Sequence, residues 1–166
     1  MATGFTVWVT GPEEREVVGV AEGIDRLLRA RKMATERLDA LTPGIDALGG
    51  EDGVCFVAGT LARHGITTVV APPGASRAAR DRARAQLGRM IEVYVHPAAA
   101  SPAPGYEPPE RPEVEVVTPE PRPGAGAERT LHTLEALGML APDENRAYTE
   151  DEEREVIRRL KAFGYL

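Results

Sequence analysis

A chain of 166 residues is long enough for one domain with its own core and too short for two of ordinary size. The formal charge of −6 excludes the excess of Lys and Arg that holds a nucleic-acid backbone, and the single cysteine, Cys55, excludes an internal disulfide and any multi-cysteine metal site. No apolar run approaches the ~18 residues of a membrane span and the first residues carry no basic-then-apolar signal pattern, so the expected location is the cytoplasm, away from membranes.

In chain order, Phe5-Thr-Val-Trp-Val-Thr10 is a β-branched and aromatic run closed by Gly11-Pro12, which predicts a buried strand ending in a turn. Val17, Val20, Ala21, Ile24, Leu27 and Leu28 then recur at the spacing of one helical face, predicting a helix over Glu13 to Arg31 packed on that strand. Lys32 to Gly53 is broken by Pro43, Gly44, Gly49 and Gly50 and is expected to be loop with at most a short strand or helix. Val54 to His64 predicts a helix stopped by Gly65, with Cys55 as a buried, inert thiol; Ile66 to Ala71 is a near-continuous apolar run of the kind buried on both faces of a parallel sheet.

Pro72-Pro73-Gly74 makes the next turn, Ser76 is the expected N-cap of a basic helix from Arg77 to Leu87, and Ile91 to Val95 is the following strand. Pro97 to Pro123 is proline-rich, with one strand-like island at Val114 to Val117; 14 prolines and 17 glycines in the chain also predict extended segments crossing the surface. Two helices close the chain, about Ala127 to Leu137 and Thr149 to Phe163. Both end in a similar phrase, "TLEALGML" and "RLKAFGYL", which ordinary glycine capping at Gly138 and Gly164 explains without a duplication. The last helix has Thr149 as its capping residue, an acidic first turn and basic last turns; packing on its own domain is the plainer expectation, docking on another chain the alternative. Alternating strands and helices with short turns predict an α/β fold with a parallel sheet covered on both faces.

Several blocks resemble the adenylylsulfate (APS) kinase family: "GFTVWVTG" its first strand, "VAGTLARHGITTVVA" its helix and third strand, "IEVYV" its fourth strand, "YEPPERPEVEV" its late loop and final strand, and "LEALGML" its closing helix. They fall in the family's order and cover most of Gly4 to Leu140. The resemblance implies a P-loop-kinase-like three-layer α/β/α domain over residues 1–140, with residues 97–112 as a Pro-rich loop in place of the family's lid, followed by a linker and an amphipathic helix over 141–166. It also implies a kinase that transfers phosphate from ATP with Mg²⁺ to the ribose 3′-hydroxyl of APS.

The segments that would carry that chemistry depart from the family pattern. A phosphate loop G-x-x-x-x-G-K-[S/T] wraps phosphates in glycine N–H groups, neutralises them with Lys and binds Mg²⁺ through the hydroxyl. Laid without gaps from Gly11, its last three positions fall on Glu16, Val17 and Val18. Glu13, Glu14 and Glu16 put carboxylates where phosphates would sit; like charges ~4 Å apart repel by roughly 1 to 4 kcal/mol. These acids are also what an ordinary helix start prefers, and Arg15 is the one local cation. Of the family's Asp-Gly-Asp segment Asp39 remains, followed by Ala40 and Leu41, and the Asn-x-Arg-Arg signature falls near Gly50-Glu51-Asp52-Gly53. The Ser-Pro-x-Arg turn is represented by Ala-Ser-Arg with Arg77 kept, and the basic lid is reduced to His96 to Gly105.

The expectation is therefore a catalytically inactive member that binds or regulates, with no cofactor and with a protein partner, such as a homo- or hetero-dimer with an APS-kinase-like subunit. The alternative is a divergent nucleotide- or sulfonucleotide-binding enzyme, using ATP and Mg²⁺, that grips an anion with Arg77, Arg80 and Arg84, which share a helical face; a solvated basic face is the plainer reading of the set that also includes Arg82 and Arg89. His64, His96 and His132 show no ligand spacing, so no metal site is expected, and no nucleophile-elbow pattern is present.

Overall fold

The computed structural model describes residues 3–74, 76–99, 103–143 and 150–166. Five strands form one fully parallel sheet in the order β2-β3-β1-β4-β5, with β1 at Thr6–Thr10, β2 at Thr35–Asp39, β3 at Thr67–Ala71, β4 at Met90–Pro97 and β5 at Val114–Thr118. Among the described residues five α-helices accompany it: α1 (Glu14–Ala30), α2 (Glu51–Arg63), α3 (Arg77–Leu87), α4 (Ala125–Ala136) and α5 (Glu150–Ala162), with a 3₁₀ turn at Ile45–Leu48. This is the expected three-layer α/β/α arrangement with a helical extension at the C-terminus.

Alternation along the strands assigns the layers, because successive side chains leave a sheet on opposite faces. Val7 and Val9 of β1, with Ile91, Val93 and Val95 of β4, pack against Val17, Ala21, Ile24 and Leu28 of α1 and Leu131 and Leu134 of α4. Trp8, Val70 and Met90 point the other way, against Val54, Cys55 and Ala58 of α2 and Ala83 of α3. The buried face of α1 is the one its spacing predicts, with Leu27 only partly covered. Cys55 is a free, buried thiol, as expected.

Strand β2 is a short strand inside the segment expected to be loop with at most a short strand or helix, and α2 begins at Glu51, three residues before the expected Val54. The reason is position: β2 is an edge strand with polar residues outside, and only Leu38 of Thr-Glu-Arg-Leu-Asp is apolar, so its sequence carries no alternation. Side chains blunt both sheet edges: Arg29 donates to the Thr35 carbonyl at 2.8 Å and Thr42 to the Arg37 carbonyl at 3.3 Å beside β2, while Arg129 donates to the Glu115 carbonyl at 2.8 Å beside β5.

Glycine capping accounts for the repeated phrase. After α4, Met139 N–H donates to the Leu134 carbonyl at 2.9 Å and Gly138 N–H to the Glu135 carbonyl at 3.0 Å; after α5, Tyr165 N–H reaches Leu160 at 3.0 Å and Gly164 N–H reaches Lys161 at 3.1 Å. Both glycines have φ in the left-handed region, 71° and 79°, and both pairs of bonds are those of a Schellman motif.

Helix α5 packs on its own chain. It buries Val156 and Leu160, contacts α4, pairs Arg159 with Glu115 at 3.0 Å and sends the Tyr165 hydroxyl to Glu113 at 2.6 Å. Its expected cap, Thr149, lies outside the described residues.

Candidate functional site

In open parallel sheets, ligands sit beyond the carboxyl ends of the strands where neighbouring connections leave for opposite faces. Here that point lies between β1, whose chain turns into α1 on one face, and β3, whose chain turns into α3 on the other. A cleft of about 280 Å³ opens there, walled by Thr10 to Pro12, Glu14 and Val17 from the β1–α1 turn, Ala71 to Gly74 from the β3–α3 turn, and Ala103 to Tyr106 from the Pro-rich segment.

The β1–α1 turn is short. Only Gly11, Pro12 and Glu13 separate the strand from α1, and Glu13, at the N-cap position, makes no side-chain capping bond. Gly11 is required by close packing, since a Cβ there would lie 2.1 Å from the Val95 carbonyl oxygen and 2.9 Å from a Val17 methyl. Glu13, Glu14 and Glu16 are exposed, while Val17 and Val18 are only 6% and 8% exposed and belong to the buried side of α1. Glu14 and Val17 face the cleft; Glu16 and Val18 do not line it.

The Pro-rich segment is tied down over the cleft by Tyr106. Its hydroxyl is 2.8 Å from Thr10 Oγ1, its ring stacks on Tyr94 with centroids 6.2 Å apart, and the Arg80 guanidinium lies 5.4 Å from the ring centre. Burial pushes the Tyr106 hydroxyl pKa up to about 12 despite the Thr10 hydrogen bond and Arg80, so it stays a neutral donor or acceptor.

The basic helix is capped as expected, with Ser76 Oγ accepting from the Ala79 N–H at 3.3 Å. Arg77, Arg80 and Arg84 do share a face, but it is turned toward β4 and the Pro-rich segment, which corrects the expectation of a solvated surface. Arg77 bonds the Pro108 carbonyl and Glu110, each at 2.9 Å. Arg84 holds Glu113 in a two-pronged pair at 2.6 and 2.9 Å and also reaches Glu92 at 2.9 Å. Arg80 is 1% exposed, donates through Nη2 to the Glu107 carbonyl and faces Glu92 at 3.7 Å, while its Nε and Nη1 have no hydrogen-bond partner. Arg82 and Arg89 are exposed, bonded to Asp52 and the Thr3 carbonyl. Sequence spacing finds the shared face but not its orientation, because the facing carboxylates come from Glu92, Glu110 and Glu113, eight to 33 residues away from their partners.

Asp39 is fully buried at the end of β2, where it accepts from the Leu41 N–H at 2.8 Å and meets Arg37 Nε at 2.8 Å. It shapes the β2 turn and does not line the cleft. Glu51 comes to the back of the cleft: a Cβ on Gly74 would lie 1.8 Å from its carboxylate. Burial raises the Glu51 pKa, partly opposed by Arg80. Among the described residues no group of three or more His, Cys, Asp and Glu side chains is placed to hold a metal ion, and no helix is long and apolar enough to cross a membrane. His96 is instead stacked on Tyr94 and lies 2.6 Å from Glu115. Tyr106 was legible only through its Tyr-Glu-Pro-Pro-Glu context; Tyr94 and Gly74 gave no separate signal.

No established family profile matches the chain. Individual proteins do. The adenylyl-sulfate kinase of Gloeothece citriformis is 27% identical, covering 82% of this chain and 97% of that protein. The probable adenylyl-sulfate kinase of Pyrococcus abyssi is 28% identical, covering 82% and 98%. An adenylyl-sulfate kinase from a Synechococcus strain is 34% identical over 103 residues, which span 55% of this chain and 59% of the relative. Among solved structures, the Mycobacterium tuberculosis APS kinase with AMPPNP and APS shares the fold at a TM-score of 0.65 and 20% identity, over 81% of this chain and 99% of that one. A hexameric APS kinase from Thiobacillus denitrificans shares it at 0.67 and 22%, over 86% of this chain and 31% of the larger one. Over most of its length the chain is thus similar to adenylyl-sulfate kinases, and it shares their fold.

Proposed function

We propose that this chain is a member of the adenylyl-sulfate kinase family that has lost kinase chemistry and acts as a binding or regulatory protein linked to sulfate assimilation or sulfonucleotide metabolism in the cytoplasm. The observation that carries the reading is the β1–α1 turn. Phosphoryl transfer depends on positioned cations and backbone donors around the phosphates; here the cleft presents Glu14 and Val17, and the positions for the family's lysine and hydroxyl are the buried Val17 and Val18. Among the described residues no lysine or arginine lines the cleft. A triphosphate brought to this turn would meet carboxylates at close range.

In this reading residues 1–140 are the inherited scaffold and 141–166 an added linker and helix. The working unit is a homo-oligomer or a hetero-oligomer with an active APS-kinase-like subunit. The hexameric Thiobacillus denitrificans neighbour supports self-association of this scaffold.

Calorimetric titration with ATP, ADP and APS, with and without Mg²⁺ at low salt, tests the proposal. The expected result is no heat at millimolar ligand and no turnover of APS; saturable micromolar binding, or turnover, overturns it. One observation favours a second reading, a divergent nucleotide or sulfonucleotide enzyme using the Arg77 helix: the buried Arg80 keeps two donors unpaired, and an unpaired buried donor costs about 1–3 kcal/mol that an anionic ligand would recover. Binding abolished by Arg80→Ala but not by Glu14→Gln would select that reading.

A further inference from the structure

We infer that the cleft between the β1–α1 and β3–α3 turns is a receptor for a lysine or arginine side chain presented by a partner protein. This inference rests on the reading of the chain as a non-catalytic binding protein and assigns the chemistry of its partner.

Size admits a side chain. Small-molecule sites occupy about 300–1,000 Å³, and at about 280 Å³ the cleft falls just below that range. It has room for one long side chain entering from solvent.

The walls decide which one. Pro12, Pro72, Pro73, Pro104 and Val17 make up their apolar part, and the hydroxyls of Thr10 and Tyr106 are bonded to each other at 2.8 Å. Among the described residues Glu14 is the one charged residue that lines the cleft, with no lysine or arginine beside it there. Its neighbours in the same turn, Glu13 and Glu16, are exposed, and the Glu51 carboxylate lies behind Gly74. Arg80 does not line the cleft and faces Glu92 instead. The one other cation in the first turn, Arg15, is exposed and is not a cleft residue.

A phosphate or carboxylate ligand would be repelled by this arrangement, and a wholly apolar one would strip water from Glu14 without replacing it. A lysine or arginine matches both parts, its methylene stem lying along the prolines while its charged head meets Glu14 at the rim. The chain's formal charge of −6 would also speed encounter with a basic surface.

The test is a two-dimensional NMR titration of the full chain with acetyl-Ala-Arg-Ala-amide and its neutral citrulline analogue, following the amides of Gly11, Gly74 and Gly105. The arginine peptide is expected to shift them saturably, with the citrulline peptide and the Glu14→Gln variant each binding about fivefold more weakly, the scale of one exposed ion pair. Glu22→Gln, on the same helix but outside the cleft, should change affinity by less than about twofold. Glu14 is exposed, and the spectrum itself reports whether the variant is folded. No saturable shift at millimolar arginine peptide, or equal binding by the citrulline peptide or the Glu14→Gln variant, overturns the inference. If ATP and APS are also silent, the non-catalytic reading stands without it; if ATP or APS moves the same three amides, both fall together.

Discussion

Rebuilding the family's phosphate-loop residues as Glu16→Gly, Val17→Lys and Val18→Ser should destabilise this protein without making it a kinase. Val17 and Val18 are 6% and 8% exposed, so both substitutions act on the packed side of α1. Replacing Val18 by serine gives up most of a buried valine's transfer free energy and leaves a hydroxyl in its place, about 2 kcal/mol. Lysine at 17 loses a similar contact but can send its ammonium into the cleft that Val17 lines, costing about 1–2 kcal/mol. Glycine in the first turn of α1 costs at most about 1 kcal/mol more. The sum is about 3–5 kcal/mol, which for a chain this long lowers the melting temperature by about 6–20 °C and consumes a large part of an ordinary 5–15 kcal/mol stability. Thermal unfolding followed by circular dichroism measures the shift, and a coupled assay with APS, ATP and Mg²⁺ measures turnover. A variant that melts with the parent would show that Val17 and Val18 do not hold α1 to the sheet, and detectable turnover would show that the missing cations are dispensable.

Lys32 ends α1 with φ at 60° while its N–H bonds the Arg29 carbonyl at 2.9 Å; Lys32→Gly should therefore stabilise by about 0.5–1 kcal/mol in urea unfolding, since glycine adopts that conformation without a side-chain clash. Burial alone would raise the Glu115 pKa, but the hydrogen bonds from Arg159 and His96 outweigh it and hold the carboxylate below its usual range. A depressed carboxylate contributes stability above its unfolded pKa and loses it as pH falls through the folded value, so Glu115→Gln should flatten the loss of stability from about pH 5 to pH 3. Glu92, raised by burial with Arg84 opposing, has the reverse sign in both proteins and cancels in the comparison. Burial also raises the Cys55 thiol, with Asp52 adding to it; iodoacetamide should label native protein slowly at neutral pH and label denatured protein fully, as thiolate supply and access require.

Local rules wrote much of this fold into the chain. β1, β3 and β4 are apolar because a central parallel strand is covered on both faces, and α1 shows its buried stripe because a helix packed on a sheet must present one. Gly138 and Gly164 end α4 and α5 through bonds within a few residues, which is why spacing alone finds both caps. That Glu16, Val17 and Val18 follow Gly11 where a phosphate loop would carry glycine, lysine and a hydroxyl is likewise legible, being a matter of local sequence. Strand β2 was not legible, because an edge strand with a single apolar residue takes its conformation from pairing with β3. Nor was the setting of the arginine helix: whether Arg80 and Arg84 meet water or carboxylate depends on Glu92 and Glu113, brought beside them by the crossover of α3 and the pairing of β4 with β5. The cleft was the last thing the chain alone could give, since its three walls come from turns after β1 and β3 and from Ala103 to Tyr106, segments that meet only when the sheet has formed. Sequence determines what each segment can be; long-range pairing decides which charges face each other, because an ion pair or a cleft wall belongs to two segments at once.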